Sequence, residues 1–594
     1  MLARYLAYYG GIMKHFVISR MFFLSIIFLF LSTCLTPLSS PQLVSHIVSQ
    51  RTETLNGQIL FAPINYGTTY LIDNTGAVNH TWSSNYLPGE SVRWLGDGTI
   101  LRTIKTEVHG YGGVGGGVQK VLWNGTVVWD FRYNTNGDLS HHDIMPLPNG
   151  NVLMIAWETK TRAEVIEAGR DPNSFIGDTF MPDHIIEVKP TGPTGGTIVW
   201  EWHVWDHLIQ DYDPSKANYG VIADHPELID INYGYNPVIS DWTHTNSIDY
   251  NEEFDQILIS VRNFNEIWVI DHSTTTEEAA GHTGGASGKG GDLLYRWGNP
   301  IAYGAGTTSD KKLFSQHDAS WIDQGLPGEG DIIVFNNGDN RPSGAYSSVD
   351  EMIPPINDEG KYYLEPGSSF GPKNLTWTYT ADPPLSFYSG LFSGAQRLAD
   401  GDTLICDAVD GRFFEVTPDG ATLWQYINPF PGPNMNAVFK IVYIPPVEPP
   451  EPGVPDLACT GSLSWTDITP GQTVNGNVRV ENIGAPGSLL NWTINVSSIT
   501  WGTWSCTPGD GENLTPEDGQ VTVNISIIAP DEKNSIFEGY LRVENTGDPQ
   551  DFEVVPVYLQ TPKSAVFMFQ SFLLHKILDW FPNAFPVLWH LLRR

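Results

Sequence analysis

Between roughly residues 51 and 445 the apolar positions alternate in short runs, and each run ends at an Asn-Gly, Asp-Gly or Gly-rich turn. That spacing predicts short strands joined by tight turns, and helical periodicity is nowhere sustained through the middle of the chain. Three stretches share one design, a strand, a glycine turn and an apolar strand: SVRWLGDGTIL from Ser91, HDIMPLPNGNVL from His142 and SGAQRLADGDTL from Ser393. Looser copies begin at His244 and His317, and hairpin-like outer strands recur from Lys120, His184 and Phe413. Five such units plus the terminal strands predict an all-β chain folded as a six-bladed β-propeller. The late run Ala437 to Tyr443 is expected to close the ring against N-terminal strands, leaving no open sheet edge.

The pattern changes at Pro445. The Pro/Glu-rich segment 446–453 is a stiff extended spacer, and residues 454–562 carry the alternation of a small Ig-like β-sandwich, with strands expected at Val474 to Val480, Leu490 to Val496, Val521 to Ile527, Tyr540 to Glu544 and Phe552 to Tyr558. At the N-terminus, Lys14 and Arg20 precede the apolar run Met21 to Leu31, so residues 1–40 read as a signal peptide or an N-terminal anchor. The apolar tail 563–594 is broken by Lys576, Asp579, Pro582 and Pro586, which suits an amphipathic helix docking on a partner or a membrane interface, and so attachment to the cell surface, better than a membrane span.

Composition narrows the function. Lys and Arg number 32 against 67 Asp and Glu, a formal charge of −35, and a surface that acidic repels phosphate backbones, which excludes nucleic acid as a partner. Seven Asn-x-Ser/Thr sequons, at Asn79, Asn124, Asn374, Asn491, Asn495, Asn513 and Asn524, fit an exported, secreted or cell-surface glycoprotein. Cys459 and Cys506 are expected to be able to pair in an oxidising compartment and Cys406 to be a buried free thiol, and no cysteine cluster has zinc-site spacing.

Superposing the repeat units on their turns aligns His142, His244 and His317, with Glu90 and Ser393 at the equivalent position of other units. Ring closure would gather these distant imidazoles at one end of a central channel. His141 would point the opposite way on a regular strand and is set aside. Arg262, at the end of the strand beginning at Gln256, would add a cation and make a local anion site. Trp157, Trp242 and Trp321 lie near these motifs and could stack an aromatic ligand or fill the blades.

These residues resemble the aryl-sulfate sulfotransferases, a family of six-bladed propellers that work without a nucleotide sulfate donor. The resemblance lies in His141-His142-Asp-Ile followed by Pro-Leu-Pro-Asn-Gly-Asn, Asp241-Trp-Thr-His244-Thr-Asn246-Ser, Ser260-Val-Arg262 and Ser315-Gln-His317-Asp-Ala, and it covers the propeller only. It implies that His317 is a nucleophile that becomes transiently sulfated. His142, His244, Asn246 and Arg262 would bind sulfuryl oxygens or move the proton, and Ser393 and Gln396 would border the acceptor. The implied reaction moves a sulfuryl group from an aryl sulfate to a phenol through two displacements and needs no metal or cofactor. Two other readings compete: a non-catalytic surface propeller that binds a glycan or protein ligand, and a hydrolase that uses the three histidines as metal ligands.

Overall fold

The computed structural model describes residues 48–49, 57–446 and 454–562, apart from 97, 107–111, 136 and 235–239. The leader segment, the Pro/Glu spacer and the apolar tail lie outside the described residues. The chain divides between Pro446 and Val447 into two compact units.

The first unit is a six-bladed propeller. Its inner strands are Val438–Ile444 in blade one, Pro88–Trp94 in blade two, Leu139–Pro146 in blade three, Thr245–Asn251 in blade four, His317–Trp321 in blade five and Gly394–Arg397 in blade six. Each heads an antiparallel sheet in which consecutive strands are neighbours, so every blade is a meander that follows the chain outward. Blade one is the exception that closes the ring. Its inner strand comes from the C-terminal end and pairs antiparallel with Gln58–Pro63, Gln58 opposite Ile444 and Phe61 opposite Ile441. Val48–Ser49 adds a fifth strand to the outside of blade six, against Trp424 and Gln425.

The second strand of a blade is pressed between its neighbours on both faces, which explains why its residues are mostly apolar. Val152–Trp157, Gln256–Val261 and Ile332–Asn336 are buried at every position. Trp82, Trp157, Trp202, Trp268 and Trp424 are fully buried within the propeller and supply much of its packing area. Trp242 packs against Phe180 and Phe264, and Trp321 is buried too, so the tryptophans near the motifs serve the core.

Two insertions shape blades three and four. One, between Trp157 and Asp183, contains a short helix, Arg162–Glu167, capped by Thr161, whose side chain accepts from the Glu164 amide while Glu164 accepts from the Thr161 amide. It returns at Met181, which bridges in parallel to Asp241.

The second unit packs a four-stranded sheet, in the order Leu457–Gly461, Thr473–Asn482, Val521–Ile528, Thr503–Thr507, on a five-stranded one. Val478, Val523, Leu541, Trp492 and Leu559 are among the buried side chains between them. All three described cysteines are free. Cys459 and Cys506 lie on the outermost strands of the four-stranded sheet with two strands between them, and neighbouring strands are about 4.8 Å apart, so the pairing expected from sequence is out of reach.

Candidate active site

Each histidine owes its position to a local break in its inner strand. His142 and His244 both adopt a left-handed backbone with φ of 53°, Glu90 does so at 103° and Ser393 at 84°. In blade five the turn is divided between Ser315 and Asp318, at 58° and 51°, on either side of His317. The ladder slips at the same level in blades two, three, four and five. A bulge of this kind re-aims a side chain that regular alternation would send elsewhere. Holding non-glycine residues there costs of order 1–3 kcal/mol each, and such strain gathers at functional sites. The His142 ring also has an open neighbour at Gly113, where a Cβ would lie 1.9 Å from ring atom Cε1.

The result is convergence. The rings of His142 and His244 are 4.7 Å apart between centroids, at 71°. Phe439, on the closing strand, lies 5.9 Å from His142 and 6.5 Å from His317, and Phe392 lies 6.4 Å from His317. His244, His141, His317 and Arg262 all act electrostatically on His142, and Arg262 and His244 act on His317.

Behind each reactive ring stands a different partner. His317 Nδ1 faces the Asn337 side-chain oxygen at 2.8 Å and the Ser315 carbonyl at 3.2 Å. The Asn337 amide nitrogen donates to the carbonyls of Ser389 and Phe392, which fixes its oxygen toward the ring. With two acceptors on Nδ1, the proton sits there and the Nε2 lone pair is free. His244 Nδ1 donates to the Asp241 carboxylate, which also accepts from Trp157 Nε1 at 3.0 Å. His142 Nδ1 meets His141 Nδ1 at 2.7 Å, and His141 Nε2 meets Asp183 at 3.1 Å, so a carboxylate steers His142 through an intervening ring. Asp183 is itself tied to the Thr245 amide and the Asp183 amide to Thr243 Oγ1, linking blades three and four.

Burial dominates the electrostatics. His317 is pulled down to about 3, by burial first and then by the Arg262 charge, against the hydrogen bond to Asn337. His142 is held well below the ordinary imidazole range, by burial first and then by the neighbouring rings and the Arg262 guanidinium. Both rings are therefore neutral near neutral pH. Glu90 is raised to about 6 by burial, opposed by Lys105 at 3.6 Å and by His244. Arg262 is the site's guanidinium. Its Nη1 donates to Asn263 at 3.2 Å, its Nε is buried with no hydrogen-bond partner among the described residues, and it forms no ion pair among them. Burial pulls its pKa below the usual value while Asp339 and Asp241 pull the other way, and a guanidinium stays charged across the working range.

Beneath the cluster the channel is filled by ions. Lys440 Nζ bridges Asp143 and Asp318 at 2.7 Å each, and Arg93 holds Asp143 at 2.9 Å. Asp143 follows His142, Asp318 follows His317 and Lys440 follows Phe439, so each member of the ion cluster stands one residue along from a ring of the site.

The remaining residues singled out by sequence take other places. Asn246 donates to the Gln316 carbonyl at 2.8 Å while its own oxygen is buried with no partner among the described residues, so it joins blades four and five beside His317. Ser393 is buried, donates to Ser389 and accepts from the Ala408 amide, which makes it a brace under Phe392. Gln396 accepts from the Tyr443 amide at 2.7 Å and ties blade six to the closing strand. His141, set aside on strand alternation, instead touches His142, because the left-handed turn at His142 breaks that alternation. Asp183 and Asn337 escaped notice in the sequence, and Asp241 was quoted only as part of the motif around His244, with no role of its own.

Among the described residues, the groups whose ligand atoms crowd within 4.8 Å of one another are His207, His282 and Asp292, and Asp400, Asp402 and Glu415. The three blade histidines are not among these groups.

The inner strands of the propeller thus gather three imidazoles and a guanidinium that has no ion-pair partner among the described residues. The chain belongs to the arylsulfotransferase family, whose model matches residues 44–428. Arylsulfotransferase activity in general, on small aryl molecules, comes with that membership. No curated protein matches the chain. Among solved structures, a protein of unknown function from Bacteroides caccae is similar at 13% identity, covering 66% of this chain and 99% of its own with a TM-score of 0.35. Virginiamycin B lyase from Staphylococcus aureus is similar at 9% identity, covering 64% and 87% with a TM-score of 0.28.

Proposed function

We propose that the protein moves a sulfuryl group from an aryl sulfate ester to a phenolic acceptor by way of a sulfohistidine at His317. The observation that carries this reading is the contrast between the partners behind the rings. His317 is backed by a neutral carboxamide, which leaves it an uncharged nucleophile with its Nε2 lone pair free, whereas His244 is backed by the Asp241 carboxylate, which suits a ring that takes up and returns protons.

In the first displacement His317 Nε2 bonds to sulfur as the ester S–O bond breaks. The departing phenolate takes a proton from the His244 imidazolium. In the second, that ring recovers a proton from the acceptor phenol as its oxygen attacks sulfur, and the N–S bond breaks to return neutral His317. Arg262 offers its unpaired donors to the sulfuryl oxygens, where charge must be balanced in both steps. Phe439 and Phe392 flank His317 and supply apolar surface for the aryl ring. Export of the enzyme fits the surface: Asn79, Asn124, Asn374, Asn491, Asn513 and Asn524 are exposed and only Asn495 is partly covered.

The test is exchange of the sulfuryl group between p-nitrophenyl sulfate and phenol. His317→Ala should abolish it, and turnover near that of the unaltered enzyme would overturn the assignment.

A further inference from the structure

A second cluster of titratable side chains lies away from the channel, where blade three hands over to blade four. His207 closes a short 3-10 turn, Val204–His207, that follows the outermost strand of blade three. His282 and Asp292 belong to a glycine-rich insertion between Glu266–Asp271 and Tyr295–Trp297 of blade four. The two rings approach the same carboxylate oxygen: His207 Nδ1 is 2.9 Å and His282 Nδ1 2.7 Å from Asp292 Oδ1.

The far side of His207 sets its tautomer. Its Nε2 lies 2.9 Å from the Ala279 carbonyl, which can only accept, so Nε2 carries the hydrogen. A neutral ring in that state aims its Nδ1 lone pair at a carboxylate, two electron-rich groups face to face with the ring wholly buried. A second ring proton relieves that conflict, and so does a metal ion that both atoms ligate side by side; a backbone carbonyl behind the outer nitrogen is how metal-bound imidazoles are commonly oriented.

The backbone is shaped to allow this. A Cβ on Gly291 would lie 1.9 Å from the Ala279 carbonyl oxygen and 2.7 Å from His207 Nε2, so only glycine lets the ring reach that carbonyl. Trp202 stacks on His207 at 5.6 Å and 10° and donates to the Gly291 carbonyl at 2.7 Å, holding ring and loop together. On the other side His282 is 60% exposed, which leaves room for its ring to turn and for solvent or a further ligand to reach the centre.

We propose that His207, His282 and Asp292 bind one divalent metal ion of the zinc class, with a coordination position left open toward solvent. Two imidazole nitrogens and a carboxylate oxygen match the preferences of zinc and its neighbours rather than of calcium or magnesium. The ion would pin the insertion, which is rich in glycine and so expensive in conformational entropy to order, onto the end of blade three.

The experiment takes the full chain, strips it with a chelator and titrates zinc by calorimetry, with cobalt absorption as a second report on the ligands. Unaltered protein should take up zinc stoichiometrically and melt at a higher temperature with it. His282→Ala, on an exposed ring, and Asp292→Asn should each lose that uptake and the zinc-dependent rise. His317→Ala should keep both, which separates this centre from the channel histidines. Absence of stoichiometric uptake by the unaltered chain, or uptake undiminished in His282→Ala, would overturn the proposal.

Discussion

At the scale of single residues, what stands behind an imidazole decides what it can do. Asn337 is a neutral partner for His317, and replacing it with a carboxylate tests that point. In Asn337→Asp the new charge favours the imidazolium, so the pKa of His317 rises from about 3. The acidic limb of kcat/KM should therefore move upward in pH, with activity lost under mildly acidic conditions and recovered as pH rises. A pH–rate profile superimposable on that of the unaltered enzyme would contradict this. Arg262→Lys keeps the charge and loses the fork of donors, and kcat should fall by roughly 10²–10³, the usual cost of removing one preorganised donor from an anion hole. The aligned histidines were legible in sequence because they recur at one position of a repeat, and Arg262 because it ends a strand near them in a chain with few cations. Their supporting partners were not, since Asp183 and Asn337 come from a strand start and a strand end that no periodicity marks. Gln396 sits on an inner strand, and its side-chain oxygen accepts from the Tyr443 amide, a tie to the closing strand that no sequence pattern marks.

At the scale of elements, the bulges at the head of the inner strands carry the site, and the closing strand Val438–Ile444 locks it. That strand was legible as a ring closure from its late position and alternation. The lysine inside it was the unread signal, because a charge in the middle of a buried strand needs partners. Lys440 is 5% exposed and its partners Asp143 and Asp318 are 0% and 11% exposed. Removing one member of a buried ion cluster leaves an uncompensated charge, and Lys440→Met should destabilise the propeller by about 3–5 kcal/mol. Denaturant unfolding measures this. The double variant Lys440→Met with Asp318→Asn should recover part of the loss, and a simple sum of the two single effects would contradict a direct pair. His141 belongs to this scale as well. The rule of strand alternation failed for it because the bulge that makes the site is the very feature the rule omits.

At the scale of the whole molecule, six blades place residues separated by 175 positions, His142 and His317, against one phenylalanine of the last strand. The number of blades, the ring closure and the sandwich strands at Thr473–Asn482, Leu490–Asn495 and Val521–Ile528 could be read from alternation and turns. The insertions of blades three and four could not, because they follow no repeat, and one of them contacts Asp241 through Met181. Each unit has its own buried core, and the channel cluster lies wholly in the first. A chain ending at Pro446 should thus retain the exchange activity of the full protein, and loss of turnover in a folded truncation would contradict that division. The most direct measurement of the central claim is intact-mass analysis after brief incubation with an aryl sulfate and no acceptor. The account predicts a protein heavier by one sulfuryl group, mapped by fragmentation to His317 and discharged on adding phenol. A burst of phenol release with no added mass, or with the group on another residue, would contradict it.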